Sequence, residues 1–144
     1  GIEHWGGAGT TYIEPIRVVQ KMCIRAICNV HRFNHCAPLA KNLNMLLLDD
    51  MYSLISLCFM YKVYYALCCS VIQCMFFKCS NVHDRVTRGS EYNFYVYPCN
   101  NSQRYQSIFH SAVVAWNLLQ SNICSCSCFT RFKMLVKKQI LNNY

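Results

Sequence analysis

The sequence predicts a mainly α protein, a small helical bundle with one polar loop or short β-hairpin segment at about residues 80–104. Three observations lead there. Apolar residues recur at helical spacing over several stretches, 54% of the 144 residues are hydrophobic, and the one run with strand-like alternation, 92–97, is short and closed by Pro98. A chain of this length suits one domain. We read it as an incomplete one, with a helical segment at 1–79 and a basic C-terminal extension at 80–144.

The first helix is expected over 12–28, with Pro15 near its first turn, where a missing amide hydrogen is harmless. Ile13, Ile16, Val19, Cys23, Ile24 and Ile27 recur at core-facing spacing, while Arg17, Lys21 and Arg25 follow one another on another face. Such a stripe serves either an anionic partner or solvent. Residues 31–37 read as a loop, and Pro38 opens a short helical turn to Leu43. Asp49 and Asp50 then stand where acidic residues favour a helix N-terminus, and the helix should run to about Leu67. Its aromatic residues suit core packing better than base stacking. Another apolar helical segment is expected over 71–78.

Asn, Ser, Gly and Arg dominate 80–102, a loop with at most an edge strand or small hairpin. A helix over 107–119 follows, with Ile108, Phe109, Ala112, Val113, Trp116 and Leu119 on its apolar face. The last helix is expected over 129–141, with Ser127 as a candidate cap. Phe129, Phe132, Leu135, Val136 and Ile140 point inward, and Arg131, Lys133, Lys137 and Lys138 mostly outward.

The charge is one-sided. Fourteen Lys and Arg stand against six Asp and Glu, a net +8, and an excess of this size points to a polyanionic partner, most often nucleic acid. Most of it falls in the second half of the chain. The longest apolar stretch, 51–77, is interrupted by Lys62 into runs too short to span a bilayer, so no membrane span is expected. Residues 1–9 carry no signal-peptide character and the chain lacks an initiator Met, so it is expected to begin mid-sequence. Without a secretory signal, the twelve cysteines are expected as free thiols in a reducing, intracellular setting, cytoplasmic or nuclear.

Motifs that carry chemistry are sparse. Adjacent aspartates hold metal ions in polymerase palms, but there they need a third carboxylate from a strand, and Asp49-Asp50 heads a predicted helix. No nucleophile elbow and no phosphate-cradling glycine loop occurs. Cys69, Cys74, Cys79 and His83 offer four zinc-type donors, though their spacing is not diagnostic, and neither is that of Cys124, Cys126 and Cys128. A zinc-stabilised, cysteine-rich interaction module is therefore the alternative reading.

Several blocks resemble the region downstream of the palm in LINE-type, jockey-like non-LTR retrotransposon reverse transcriptases. Gly1-Ile2-Glu3-His4-Trp5-Gly6, then Ile16 to Gln20-Lys21 and Ile24-Arg25, are similar to "YGIxxWG … LQxxAIRxI". His35, Ala37-Pro38-Leu39, Asp50, Tyr52 and Phe59-Met60-Tyr61-Lys62 resemble the next blocks. The last are His83, Thr87-Arg88, Tyr105, Ser107, Phe109, Trp116-Asn117 and Phe132-Lys133, with Gln120 where the family has proline. The order holds along the whole chain.

The resemblance implies a helical, thumb-like segment over 1–79 and its extension, gripping template and primer beside a palm that would precede Gly1. The parent would be an RNA-directed DNA polymerase using Mg in that palm. This chain alone would need no cofactor and would catalyse nothing. RNA or DNA and the upstream palm would be its partners. The residues expected to meet nucleic acid are Arg17, Lys21, Arg25, Arg85, Arg88, Arg104, Arg131, Lys133, Lys137 and Lys138.

Overall fold

The computed structural model describes residues 1–82 and 92–144. His83, Arg85, Thr87 and Arg88, singled out above, lie outside the described residues.

The chain opens with α1 (Ile2–Trp5), followed by α2 (Thr10–Ile27) and α3 (Cys36–Asn42), and reaches its central element, α4 (Leu48–Tyr64). Leu54, Ser56, Leu57, Cys58, Met60, Tyr61 and Val63 are all buried, so α4 is covered nearly all round. Short helical turns come next, α5 (Ser70–Gln73) and α6 (Cys79–Val82). Beyond the undescribed stretch lie α7 (Ser102–Gln106), α8 (Ile108–Asn117), α9 (Ser121–Cys124) and α10 (Phe129–Asn142). Helices α8 and α10 pack on α4, while α2 packs on α3 and the start of α4. The fold is thus mainly α, a small helical assembly with no strand among the described residues.

An aromatic core holds α4, α8 and α10 together. Trp116 of α8 is fully buried and stacks near Tyr64 at 5.7 Å and Phe132 at 5.8 Å between ring centroids. Tyr61 lies 4.6 Å from Phe132 and 4.5 Å from Tyr65. Its hydroxyl donates to the Ser127 carbonyl at 2.6 Å, and that of Tyr65 to the Cys124 carbonyl at 3.0 Å. The buried Tyr61 and the half-buried Tyr65 thereby keep their polar ends satisfied. Truncating Trp116 or Phe132 here costs about 3–5 kcal/mol.

Residues 92–97, expected as loop with at most an edge strand or small hairpin, hold one antiparallel bridge among the described residues, Lys78 with Phe94. On one edge, Cys79 N donates to Asn93 O at 2.9 Å and Tyr95 N to Phe77 O at 2.8 Å. On the other edge, the Asn117 side chain takes the place of a strand. Phe94 N donates to its Oδ1 at 2.9 Å, and its Nδ2 donates to Phe94 O at 2.7 Å. Trp116 Nε1 adds a bond to Tyr92 O at 2.9 Å. A helix side chain has closed the ladder that a second strand would have extended. The same pairing explains why the helix expected over 71–78 stops at Gln73, since Phe77 and Cys79 spend backbone groups on 93–95.

Two further expectations need correction. The cap position of α10 is Cys128, not Ser127, whose carbonyl serves Tyr61 instead. Helix α4 ends at Tyr64 rather than near Leu67, because Ala66 turns into the left-handed region at φ 56°, with Leu67 N donating to Lys62 O at 2.7 Å. This is the usual left-handed helix ending, made with alanine where glycine is the common choice. Asn29 and Asn44 play the same part after α2 and α3.

At the other end, Ile2, Ile13 and Leu48 form a small second cluster with Tyr52 and Ile55. Gly6 and Gly7 allow the approach, since a Cβ on Gly6 would stand 2.3 Å from Tyr52 Cδ2 and one on Gly7 2.4 Å from Gln106 O. Among the described residues no helix is long and apolar enough to cross a membrane.

Candidate nucleic-acid interface

The basic residues separate into two groups according to what already engages them. In α2 the orientation differs from expectation. Only Ile13 and Ile24 of the apolar set are buried, while Val19 is 58% and Ile27 62% exposed. The Arg17 side turns toward α4 instead. Gln20 decides the docking, because its Nε2 donates to Leu46 O at 3.0 Å and its Oε1 accepts from Leu48 N at 2.8 Å. Helix α4 has no side-chain cap of its own, and Gln20 supplies one from α2.

Arg17 follows Gln20 inward. Its Nε and Nη2 meet the Asp49 carboxylate at 3.0 and 2.7 Å, and Nη1 meets Glu14 at 3.0 Å. Its hydrogen bonds to Asp49, and then to Glu14, push the Arg17 pKa further up. Its charge is nonetheless answered within the protein. Arg25 donates from Nε to the Asn34 carbonyl at 3.0 Å, and Lys21 is half-buried. Within this stripe Arg17 belongs to the seam between α2 and α4, and Arg25 is tied to the loop before α3.

The Asp49-Asp50 pair stands in the first turn of α4, where the sequence put it. The two carboxylates serve different partners. Asp49 binds Arg17, and Asp50 Oδ2 accepts from the Tyr144 hydroxyl at 2.5 Å. Tyr144 in turn accepts from Leu47 N at 2.7 Å. Burial first, and the bond to Asp50 second, push its phenol up to about 12.

Helix α10 is the opposite case. It contains no acidic residue, and Arg131, Lys133 and Lys138 are exposed on it without an ion pair among the described residues. Lys137 donates to Asn44 O at 2.8 Å and stays at the margin. Phe132 and Val136 are buried on the far side, so the amphipathic reading of this helix stands. Lys62 of α4 joins this surface, although its sequence signal was only the interruption of an apolar run. It lies 5.7 Å from the Phe129 ring, and Lys62 and Lys133 both pull down on the Cys58 thiol, which burial pushes up. Arg104, exposed on α7, lines an aromatic cleft beside α8.

The cysteine-based alternative gains no geometry. Cys69 and Cys74 flank α5, and among the described residues no three His, Cys, Asp or Glu side chains gather as a metal would require. His83, the fourth donor of that set, lies outside the described residues. All twelve cysteines are free thiols.

Compared with family models, curated proteins and solved structures, the chain matches none.

Proposed function

We propose that this chain is a template- and primer-gripping segment from the C-terminal side of a retrotransposon reverse transcriptase, without the catalytic palm. The single observation that carries the gripping role is α10, where Arg131, Lys133 and Lys138 are exposed and form no ion pair among the described residues, while Phe132 and Val136 anchor the helix. A rigid helix bearing exposed cations suits phosphate backbones and reads no sequence. The parentage rests on the ordered blocks from Gly1-Ile2 to Phe132-Lys133. Gln20, Trp116 and Asn117, all within those blocks, carry hydrogen bonds that join distant parts of the chain. The partners proposed are RNA and DNA through the α10 surface, and the upstream palm. On this reading the chain is inactive alone.

Titrating the chain into a labelled RNA–DNA hybrid at low ionic strength tests the gripping role. Sequence-tolerant binding that weakens steeply with salt is expected, and no binding would remove it. A primer-extension assay tests the second part. Polymerisation by this chain alone would overturn the proposed division of labour.

A further inference from the structure

Next to α8 a cleft of about 360 Å³ opens, lined by the rings of Phe76, Tyr95, Tyr97, Phe109 and His110, with Arg104 also on its wall. We propose that it accepts one unstacked base of a single nucleic-acid strand, with Arg104 on the adjoining phosphate. This rests on the nucleic-acid reading above and sharpens it.

Size sets the first limit. The volume is at the small end of ligand pockets, about 300–1,000 Å³, so it suits a base with its sugar and excludes a base pair. Chemistry sets the second. Among the described residues no carboxylate lines the cleft and Arg104 forms no ion pair, which favours an anionic ligand. The lining offers stacking surface. Phe76 and Phe109 are stacked at 5.8 Å and 25°, and Phe109 is still 48% exposed, so ring surface is left for a further aromatic plane.

Aromatic planes beside one cation describe a nucleotide better than a cationic ligand. A duplex would hide its bases from this site, so a single-stranded end or gap is the substrate form.

The test uses the full chain and two single strands of equal length and charge, one normal and one fully abasic, read by fluorescence anisotropy at low salt. The wild-type protein is expected to bind the normal strand about fivefold to tenfold more tightly. Phe109→Ala should abolish that preference and leave the abasic strand unaffected, and Arg104→Gln should weaken both. Equal wild-type affinity for the two strands would overturn the base site while leaving phosphate gripping intact. Binding to neither strand would remove both. The wild-type comparison decides even if a variant fails to fold.

Discussion

Arg17 and Asp49 join α2 to α4 through a forked ion pair, with Nη2 2.7 Å and Nε 3.0 Å from the carboxylate oxygens. A guanidinium held this way is a poor phosphate ligand, because its fork geometry is already used. We expect Arg17→Met to leave the salt dependence of nucleic-acid binding unchanged. The pair is exposed on the Asp49 side, so its loss should cost stability of only about 1 kcal/mol or less. A substantial drop in affinity for the hybrid would place Arg17 back among the gripping residues.

Asn117 has the larger structural part. Both arms of its amide are bonded to Phe94, holding an extended segment that has no neighbouring strand on that edge. Asn117→Ala should destabilise by about 2 kcal/mol, as it leaves a backbone donor and acceptor unmet. Trp116→Ala should cost more, about 3–5 kcal/mol. Thermal unfolding followed by circular dichroism orders the two.

Ala66 offers a gain. An L-residue in the left-handed region carries strain of about 1–2 kcal/mol, which glycine avoids. Part of the relief is offset by the freer unfolded chain. Ala66→Gly is expected to stabilise by about 0.5–1 kcal/mol, and chemical denaturation with an unchanged slope would register it.

The Tyr144 phenol links stability to alkaline pH. Its folded pKa stands at about 12 against an ordinary value of 10. The stability it contributes is therefore present in full below pH 10 and lost as pH rises toward 12. Tyr61 and Tyr65, also raised by burial, add to the same loss. Tyr144→Phe should lower stability at neutral pH, where the bonds to Leu47 and Asp50 are missing, and flatten the decline between pH 10 and 12. An unchanged decline would show that the phenol titrates alike folded and unfolded.

Thiol reactivity maps the core independently. Cys23, Cys69, Cys74 and Cys128 are exposed, whereas Cys36, Cys58 and Cys124 are buried, and burial pushes the Cys124 thiol up to about 11. Mass spectrometry after brief alkylation should find the first set modified and the second intact until denaturant is added.

How much of this was legible depended on whether local pattern or a distant partner decided each residue. The long helices, the placement of Asp49-Asp50 at a helix start and the inward face of α10 follow from short-range periodicity. The orientation of α2 does not, because nearly every outward position between Tyr12 and Ile27 is apolar and periodicity cannot choose among arcs. Gln20 chooses, through bonds to Leu46 and Leu48 twenty-six and twenty-eight residues away. Asn117 and Tyr144 act over comparable or longer separations, so neither was visible as a structural clasp. Of the expected binding residues, Arg131, Lys133 and Lys138 are exposed, with no ion pair among the described residues, on a helix whose amphipathicity was clear, while Arg17 and Arg25 found partners supplied by the fold.

The central claim is that α10 grips phosphate. The decisive measurement is hybrid affinity across a salt series for the wild type and for the triple variant Arg131→Gln, Lys133→Gln, Lys138→Gln. Each lost phosphate contact should make the logarithmic salt slope shallower by about 0.7–0.9, so a reduction of about 2 to 3 is expected with the fold retained. Identical slopes and affinities in a folded triple variant would contradict the account.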